Sequence, residues 1–157
     1  MNKTLIAVMG NTDYDVEHEN CDVIYLCDTP NGKKYIISDY EKMIYSALDY
    51  AKKNKYEYIY FMSSLSKLLD NTIKTNIEWS QNVSGSFSDF YVNADLHVQH
   101  KRIEYLLSLS TDVNVGHNAL FRVEDFNPPE DVSSLDELVR YGKTVFNHIP
   151  IPTYIME

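Results

Sequence analysis

Acidic side chains dominate the residues that could do chemistry. Five potential metal ligands fall within seven positions, Asp13, Asp15, Glu17, His18 and Glu19. Alternate carboxylates in a loop can converge on a hard cation. The run lacks the spacing and glycine of an EF-hand, so a solvated acidic loop is the plainer reading. Asp28 follows the apolar run DVIYLC. The C-terminal end of a buried strand is where α/β folds carry ligand-binding groups. An Asp that stabilises the Thr29-Pro30-Asn31-Gly32 turn is the equal alternative. Glu130 and Asp131 follow Pro128-Pro129 and precede an apolar helical run, with Asp136 just beyond. A carboxylate pair there suits a helix start favoured by the macrodipole. Asp89 and Asp95 flank a short strand. His97 and His100 stand at i and i+3, which would bring them together on a helix, but no third ligand accompanies them. His117, Arg122 and His148 complete the set; the Arg122 guanidinium suits a phosphate.

Several chemistries are excluded at the level of motif. There is no GxSxG, P-loop or GxGxxG, no HxT or HxS pair, and only 5 glycines for phosphate-cradling loops. Cys21 and Cys27 lack CxxC spacing and suggest two reduced thiols, Cys27 in the core. The formal net charge of −9 argues against non-specific nucleic-acid binding, which needs clustered Lys and Arg. It suits solubility or an acidic surface that meets a basic partner. No run approaches the roughly 18 apolar residues that span a bilayer. The start MNKTLIAVMG reads as a strand rather than a signal peptide, which makes the cytoplasm the expected compartment.

The elements that must position these residues alternate in type. Residues 4–9 (TLIAVM) and 22–27 (DVIYLC) have the length of buried strands, and residues 34–37 suggest a further short one. Ser38-x-x-Glu41 has capping-box form, and Met43, Ile44, Ala47, Leu48 and Ala51 then repeat at helical spacing. YEYIYFM at 56–62 is aromatic and strongly strand-forming. Leu65, Leu68, Leu69, Ile73 and Ile77 predict a second helix, residues 87–92 a strand, and Ile103, Leu106 and Leu107 a third helix. ALFRV at 119–123 predicts a strand. A fourth helix is expected from the Ser134-x-x-Glu137 capping box through Phe146, and the proline-bearing tail 148–156 is expected to be extended. The alternation gives an α/β layered domain with a mostly parallel mixed sheet flanked by about four helices, one domain over residues 1–157.

In this order the segments resemble the family 2, GT-A class of nucleotide-sugar glycosyltransferases, a Rossmann-like fold. DVIYLCD is similar to the strand that ends in an acidic residue near the nucleotide base. The helix and YEYIYFM are similar to the elements that deliver the metal site, and GSFSDFYV to the next edge strand. GHNALFRVEDF, a helix and HIPIPTYIM are similar to the acceptor-side strand, catalytic helix and closing strand. The resemblance covers residues 22–156 and implies a nucleotide-sugar donor held by Asp28, Ser63, Ser64 and Ser66. It also implies a general base at Asp131 or Glu130, and Mg or Mn if the protein is active. The sequence departs from the family twice. About a dozen residues replace the helix between the first two strands, and Ser63-Ser64-Leu65-Ser66 stands where an Asp-x-Asp motif would hold the cation. The metal site is therefore unknown. The alternative function is a catalytically inactive acidic binding or inhibitor protein acting through a protein partner, consistent with 13 tyrosines. The transferase reading expects the strand ends at Cys27–Asp28 and Met62–Ser63 to be neighbours opening into one nucleotide crevice.

Overall fold

A computed structural model describes residues 3–12, 14–27, 35–36, 42–92, 97–99 and 115–156. Strand β1 (Thr4–Met9) is buried on both faces, as its continuous apolar run requires. It lies between β2 (Cys21–Leu26) and β4 (Tyr58–Ser63), parallel to both, with Met9 level with Leu26 on one side and Ser63 on the other. The ends of β2 and β4 are therefore not neighbours, as the sequence reading supposed. The end of β1 separates them, because β1 is apolar on both faces and takes the centre of the parallel half. β3 (Tyr35–Ile36) extends this half beyond β2.

The other half is largely antiparallel. β8 (Ala119–Arg122) pairs with β4, and β6 (Gly85–Val92) with β8. β9 (Phe146–Met156) runs parallel to β6 through a bulge around its prolines, which cannot donate to the ladder. β5 (Ser66–Leu68) closes that edge, and β7 (His97–Gln99) pairs with β6 off the main path. Among the described residues the result is a nine-stranded mixed sheet, eight strands in the order β3-β2-β1-β4-β8-β6-β9-β5 and β7 beside β6.

Helix α1 (Met43–Lys53) buries Ile44, Ala47, Leu48 and Ala51 on one face of the sheet and carries Lys52 and Lys53 in its last turn. Short α3 (Leu135–Val139) packs on the same face, in a core that includes Leu5, Ala7, Phe61 and Phe121. α2 (Thr72–Trp79) covers the other face over Ile6, Val8, Tyr58 and Tyr60. The expected α/β layering with a mixed sheet is what forms. No helix among the described residues is long and apolar enough to cross a membrane.

Two expected helices are shorter than their periodicity suggests. Leu65 is 60 % exposed and Ser66–Leu68 adds to the sheet against Tyr154–Met156, so α2 starts only at Thr72. The apolar spacing of Leu65, Leu68 and Leu69 fitted either a helix or an edge strand, and an unpaired β9 edge decided for the strand. α3 ends at Val139, because Gly142 bridges to Phe126 and turns the chain into β9, where Phe146 packs. The Ser38–Glu41 capping box and the helix around Ile103–Leu107 lie outside the described residues.

Candidate functional site

Strand order reverses at β1. The chain moves outward through β2 and β3, then returns to the opposite side of β1 as β4. In open α/β sheets the crevice outside the carboxyl ends at such a switch point is where ligands bind. Here Met9 and Ser63 end the two strands and floor a cavity of about 310 Å³. Ile44 of α1 forms one wall, and Gly116 and His117 ahead of β8 form another. Ser133, Ser134 and Asp136 at the start of α3 complete it.

Local hydrogen bonding explains why these groups face one another. Asn118, 1 % exposed, accepts the Ser63 N–H on its Oδ1 at 2.8 Å and donates from Nδ2 to Ser66 Oγ at 2.9 Å. Ser66 Oγ in turn donates to the Ser63 carbonyl at 2.7 Å. The amide thus clamps the chain where it leaves β4. Gly116 has φ +79°, a left-handed conformation suited to glycine, and a Cβ there would stand 3.0 Å from the Tyr154 hydroxyl. That hydroxyl accepts the His117 N–H at 3.3 Å, and Phe90 stacks on Tyr154 while meeting the His117 ring edge-on. Burial pushes the Tyr154 phenol up to about 12, despite the backbone N–H groups that favour its ionised form. Tyr60, fully enclosed and hydrogen-bonded to Asn118 and Thr153, is likewise raised by burial.

The start of α3 is capped as its sequence implied. Ser134 Oγ accepts the Glu137 N–H at 3.0 Å, while Glu137 Oε2 accepts from the Ser133 N–H at 3.0 Å and Ser133 Oγ at 2.9 Å. The reciprocal bond goes to Ser133 rather than to the cap residue itself. These bonds to Ser133 hold the Glu137 carboxyl below its ordinary range. The capped turn presents Asp136 to the crevice, with its Oδ1 accepting the Val115 N–H at 2.7 Å.

Of the residues singled out from sequence, Ser63 lines this crevice and Ser64 lies beside it, its N–H bonded to the Met9 carbonyl at 3.1 Å. Ser66 is fully buried in the Asn118 clamp. Glu130 is exposed and pairs with Lys42 at 3.2 Å, and Asp131 is exposed on the approach to α3. Neither lines the crevice, which is lined instead by Asp136. Asp28 lies outside the described residues, as do Asp13, Asp95 and His100. His97 is in strand β7, not in a helix that would set it over His100. Arg122 is committed within the fold, to the Ser80 carbonyl at 2.8 Å and the Val83 carbonyl at 3.3 Å, with Glu57 at 3.6 Å. His148 Nε2 meets the buried Asp89 Oδ1 at 2.7 Å and stacks on Phe87, away from the crevice lining. Cys21 and Cys27 are free thiols, Cys27 buried.

Among the described residues, the end of β4 offers Mg or Mn no donor set. Ser63 Oγ accepts the Leu65 N–H at 3.2 Å and Ser66 Oγ is tied to Asn118. Hard cations want carboxylate oxygens, and Asp136 is the crevice's one carboxylate among the described lining residues. Among the described residues no three His, Cys, Asp or Glu side chains are placed to hold a metal, so Asp15, Glu17, His18 and Glu19 do not converge on one.

Asn118, Tyr154 and Gly116 were not recognised as site-building residues from sequence. The one available signal was the polar pair His117-Asn118 placed directly before an apolar strand.

No protein-family model matches the chain, and no curated protein matches it in sequence. Among solved structures the chain is similar to S. aureus TarS, with a TM-score of 0.62 at 11 % identity over 99 % of this chain and 36 % of that one. It is likewise similar to TarS 1-349 in complex with UDP-GlcNAc, with a TM-score of 0.62 at 13 % identity over 99 % of this chain and 58 % of that one. HddC from Yersinia pseudotuberculosis gives a TM-score of 0.56 at 14 % identity, over 98 % of this chain and 93 % of that one. The chain thus spans between 36 % and 60 % of the TarS chains it matches. At such identities the likeness carries architecture alone, and the architecture is GT-A-like.

Proposed function

We propose that the chain is a single GT-A-like domain, acting in the cytoplasm, that binds a nucleotide sugar in the crevice between the ends of β1 and β4. Its reaction is transfer of the sugar to an acceptor hydroxyl. The observation that supports this most is the coincidence of a switch-point crevice with a fold similar to TarS, a protein solved with UDP and with UDP-GlcNAc. In this reading Ser63 and Ser64 border the donor, with Asp28 toward its base or ribose. Asp136 is the general base in preference to Glu130 or Asp131, because it lines the crevice and they do not. The acceptor oxygen bonds to the sugar's anomeric carbon, the bond to the phosphate oxygen breaks, and the acceptor proton passes to the Asp136 carboxylate. The nucleoside diphosphate leaves with the bonding pair. Among the described residues, those at the end of β4 do not suit a metal ion. Of the described lining residues, His117 is the one able to carry positive charge toward the diphosphate.

The carboxylate-free end of β4 favours a second reading, a catalytically silent relative acting through a protein partner. Thermal shift with UDP and UDP-GlcNAc, with and without Mn²⁺, separates the two. Ligand at a hundredfold over its Kd stabilises the native state by about 2.7 kcal/mol, a rise in Tm of roughly 5 to 10 °C. Asp136→Asn is expected to keep that rise and to lower sugar transfer or donor hydrolysis by about 10²- to 10⁴-fold. No rise with any nucleotide sugar, together with a stoichiometric co-purifying partner, supports the second reading instead.

A further inference from the structure

On the α2 face, toward the edge where β1 and β2 begin, lies a second cavity of about 400 Å³. A loop rather than a helix joins β1 to β2, and it is pinned back by the Val16 N–H donating to the Tyr25 hydroxyl at 2.8 Å. The cavity lies between the end of this loop, His18 to Asn20, and α2, over the starts of the two strands at Thr4 and Cys21. The cavity is independent of the crevice described above, which opens at the other ends of the strands and is walled by α1 and α3.

Its lining contains buried polar atoms that the described fold leaves unsatisfied. Thr4, 2 % exposed on β1, has no hydrogen-bond partner for its Oγ1. The His18 ring has both Nδ1 and Nε2 shielded from solvent and both without a partner. Both residues line this cavity. Buried donors and acceptors of this kind are almost always paired, by protein, by water or by a ligand. A neutral imidazole offers one N–H and one bare nitrogen, and the threonine hydroxyl can donate and accept. Full satisfaction therefore needs an occupant with at least one donor and one acceptor.

The remaining lining states what else that occupant carries. Ile73 and Ile77 of α2 form an apolar wall. Glu19, Asp70 and Glu78 supply three carboxylates at the cavity against the single ammonium of Lys74. That balance attracts a cation and repels an anion.

We infer that this cavity is a binding site for a small organic cation that combines an apolar body, an ammonium group and a hydroxyl, that is, an amino alcohol of aromatic or alicyclic type. The ammonium donates to the bare His18 nitrogen and is held by the carboxylates, the hydroxyl bonds to Thr4 Oγ1, and the ring lies on Ile73 and Ile77.

A matched pair of probes tests this in the full chain. 2-Amino-1-phenylethanol has the required groups; 2-hydroxy-2-phenylacetate has the same ring and hydroxyl with the opposite charge. Titration followed by the NMR signals of the His18 ring is expected to show a saturable shift with the amine and none with the carboxylate at equal concentration. Measured by isothermal titration calorimetry, Thr4→Val, which keeps the side-chain volume, and His18→Phe, which keeps a flat ring, each remove polar atoms and are expected to weaken the amine about tenfold or more. Thr4→Val is also expected to raise the Tm of the protein without probe, since it removes an unpaired buried hydroxyl. The inference is overturned if neither probe gives a saturable shift, which would mean water alone fills the cavity. Equal shifts from both probes, or a Thr4→Val protein with lowered Tm and unchanged amine binding, would overturn it too.

Discussion

Replacing Asn118 by alanine tests whether a polar clamp, rather than apolar packing, holds the end of β4 at the crevice. The amide accepts the Ser63 N–H at 2.8 Å and donates to Ser66 Oγ at 2.9 Å. Each such bond contributes about 1 kcal/mol net, and leaving the strand-end N–H without a partner adds about 1 kcal/mol more. Alanine also leaves a void at a site that is 1 % exposed, for roughly another 1 kcal/mol. Asn118→Ala should therefore lower stability by about 3 to 4 kcal/mol, and Tm by roughly 10 °C. Urea unfolding followed by far-UV circular dichroism measures it, with the m-value expected to stay unchanged. Hydrogen exchange at the Ser63 amide gives a local readout, since that proton should exchange faster in the variant relative to Phe61 in the strand centre. A loss below about 1 kcal/mol with Ser63 exchange unchanged would refute the reasoning. It would mean that the strand end is held by the Met9 and Met62 neighbourhood alone.

Other perturbations probe the fold that carries the crevice. Gly85→Ala places a Cβ 2.2 Å from the Leu120 carbonyl oxygen and 2.5 Å from Phe146 Cζ, so β6 and β8 must separate. A loss of about 2 to 3 kcal/mol in urea unfolding is expected, and a neutral result would contradict that close approach. Alkaline pH should unfold the protein through its buried phenols. Tyr154 stays protonated in the native state up to about 12, whereas an unfolded tyrosine ionises near 10. The unfolded chain therefore binds fewer protons in that window, and stability falls with rising pH. The Tyr154 contribution, present in full below pH 10, is lost by about pH 12 and amounts to roughly 2 to 3 kcal/mol. Tyr154→Phe should flatten the fall in urea midpoint between pH 9.5 and 11.5, as read by unfolding curves in matched buffers; an unchanged slope would remove Tyr154 from the account.

Much of the framework was legible in one dimension. β1 was read with its boundaries intact at Thr4–Met9, and the helix of Ile44, Ala47, Leu48 and Ala51 buries those four residues. Continuous apolar runs and a 3.6-residue repeat report burial directly, because a residue's face is set by its own backbone geometry. Ser134 and Glu137 were likewise readable as a cap, since that bond closes within one turn.

What only the tertiary structure decided is which distant segments meet. The sequence placed Glu130, Asp131 and Asp136 within seven positions, and only the packing of α3 turns Asp136 toward the crevice while Glu130 goes to Lys42. Sequence order said nothing of β1 lying between β2 and β4, nor of Asn118 spanning 55 positions to Ser63. Leu65 to Leu69 fitted two periodicities, and the free edge of β9 resolved them. Local propensities act over a turn or two, whereas strand neighbours and buried polar partners are chosen by the free energy of the whole core. The types of side chain available for chemistry are therefore written along the chain, and their convergence at the ends of β1 and β4 belongs to the fold.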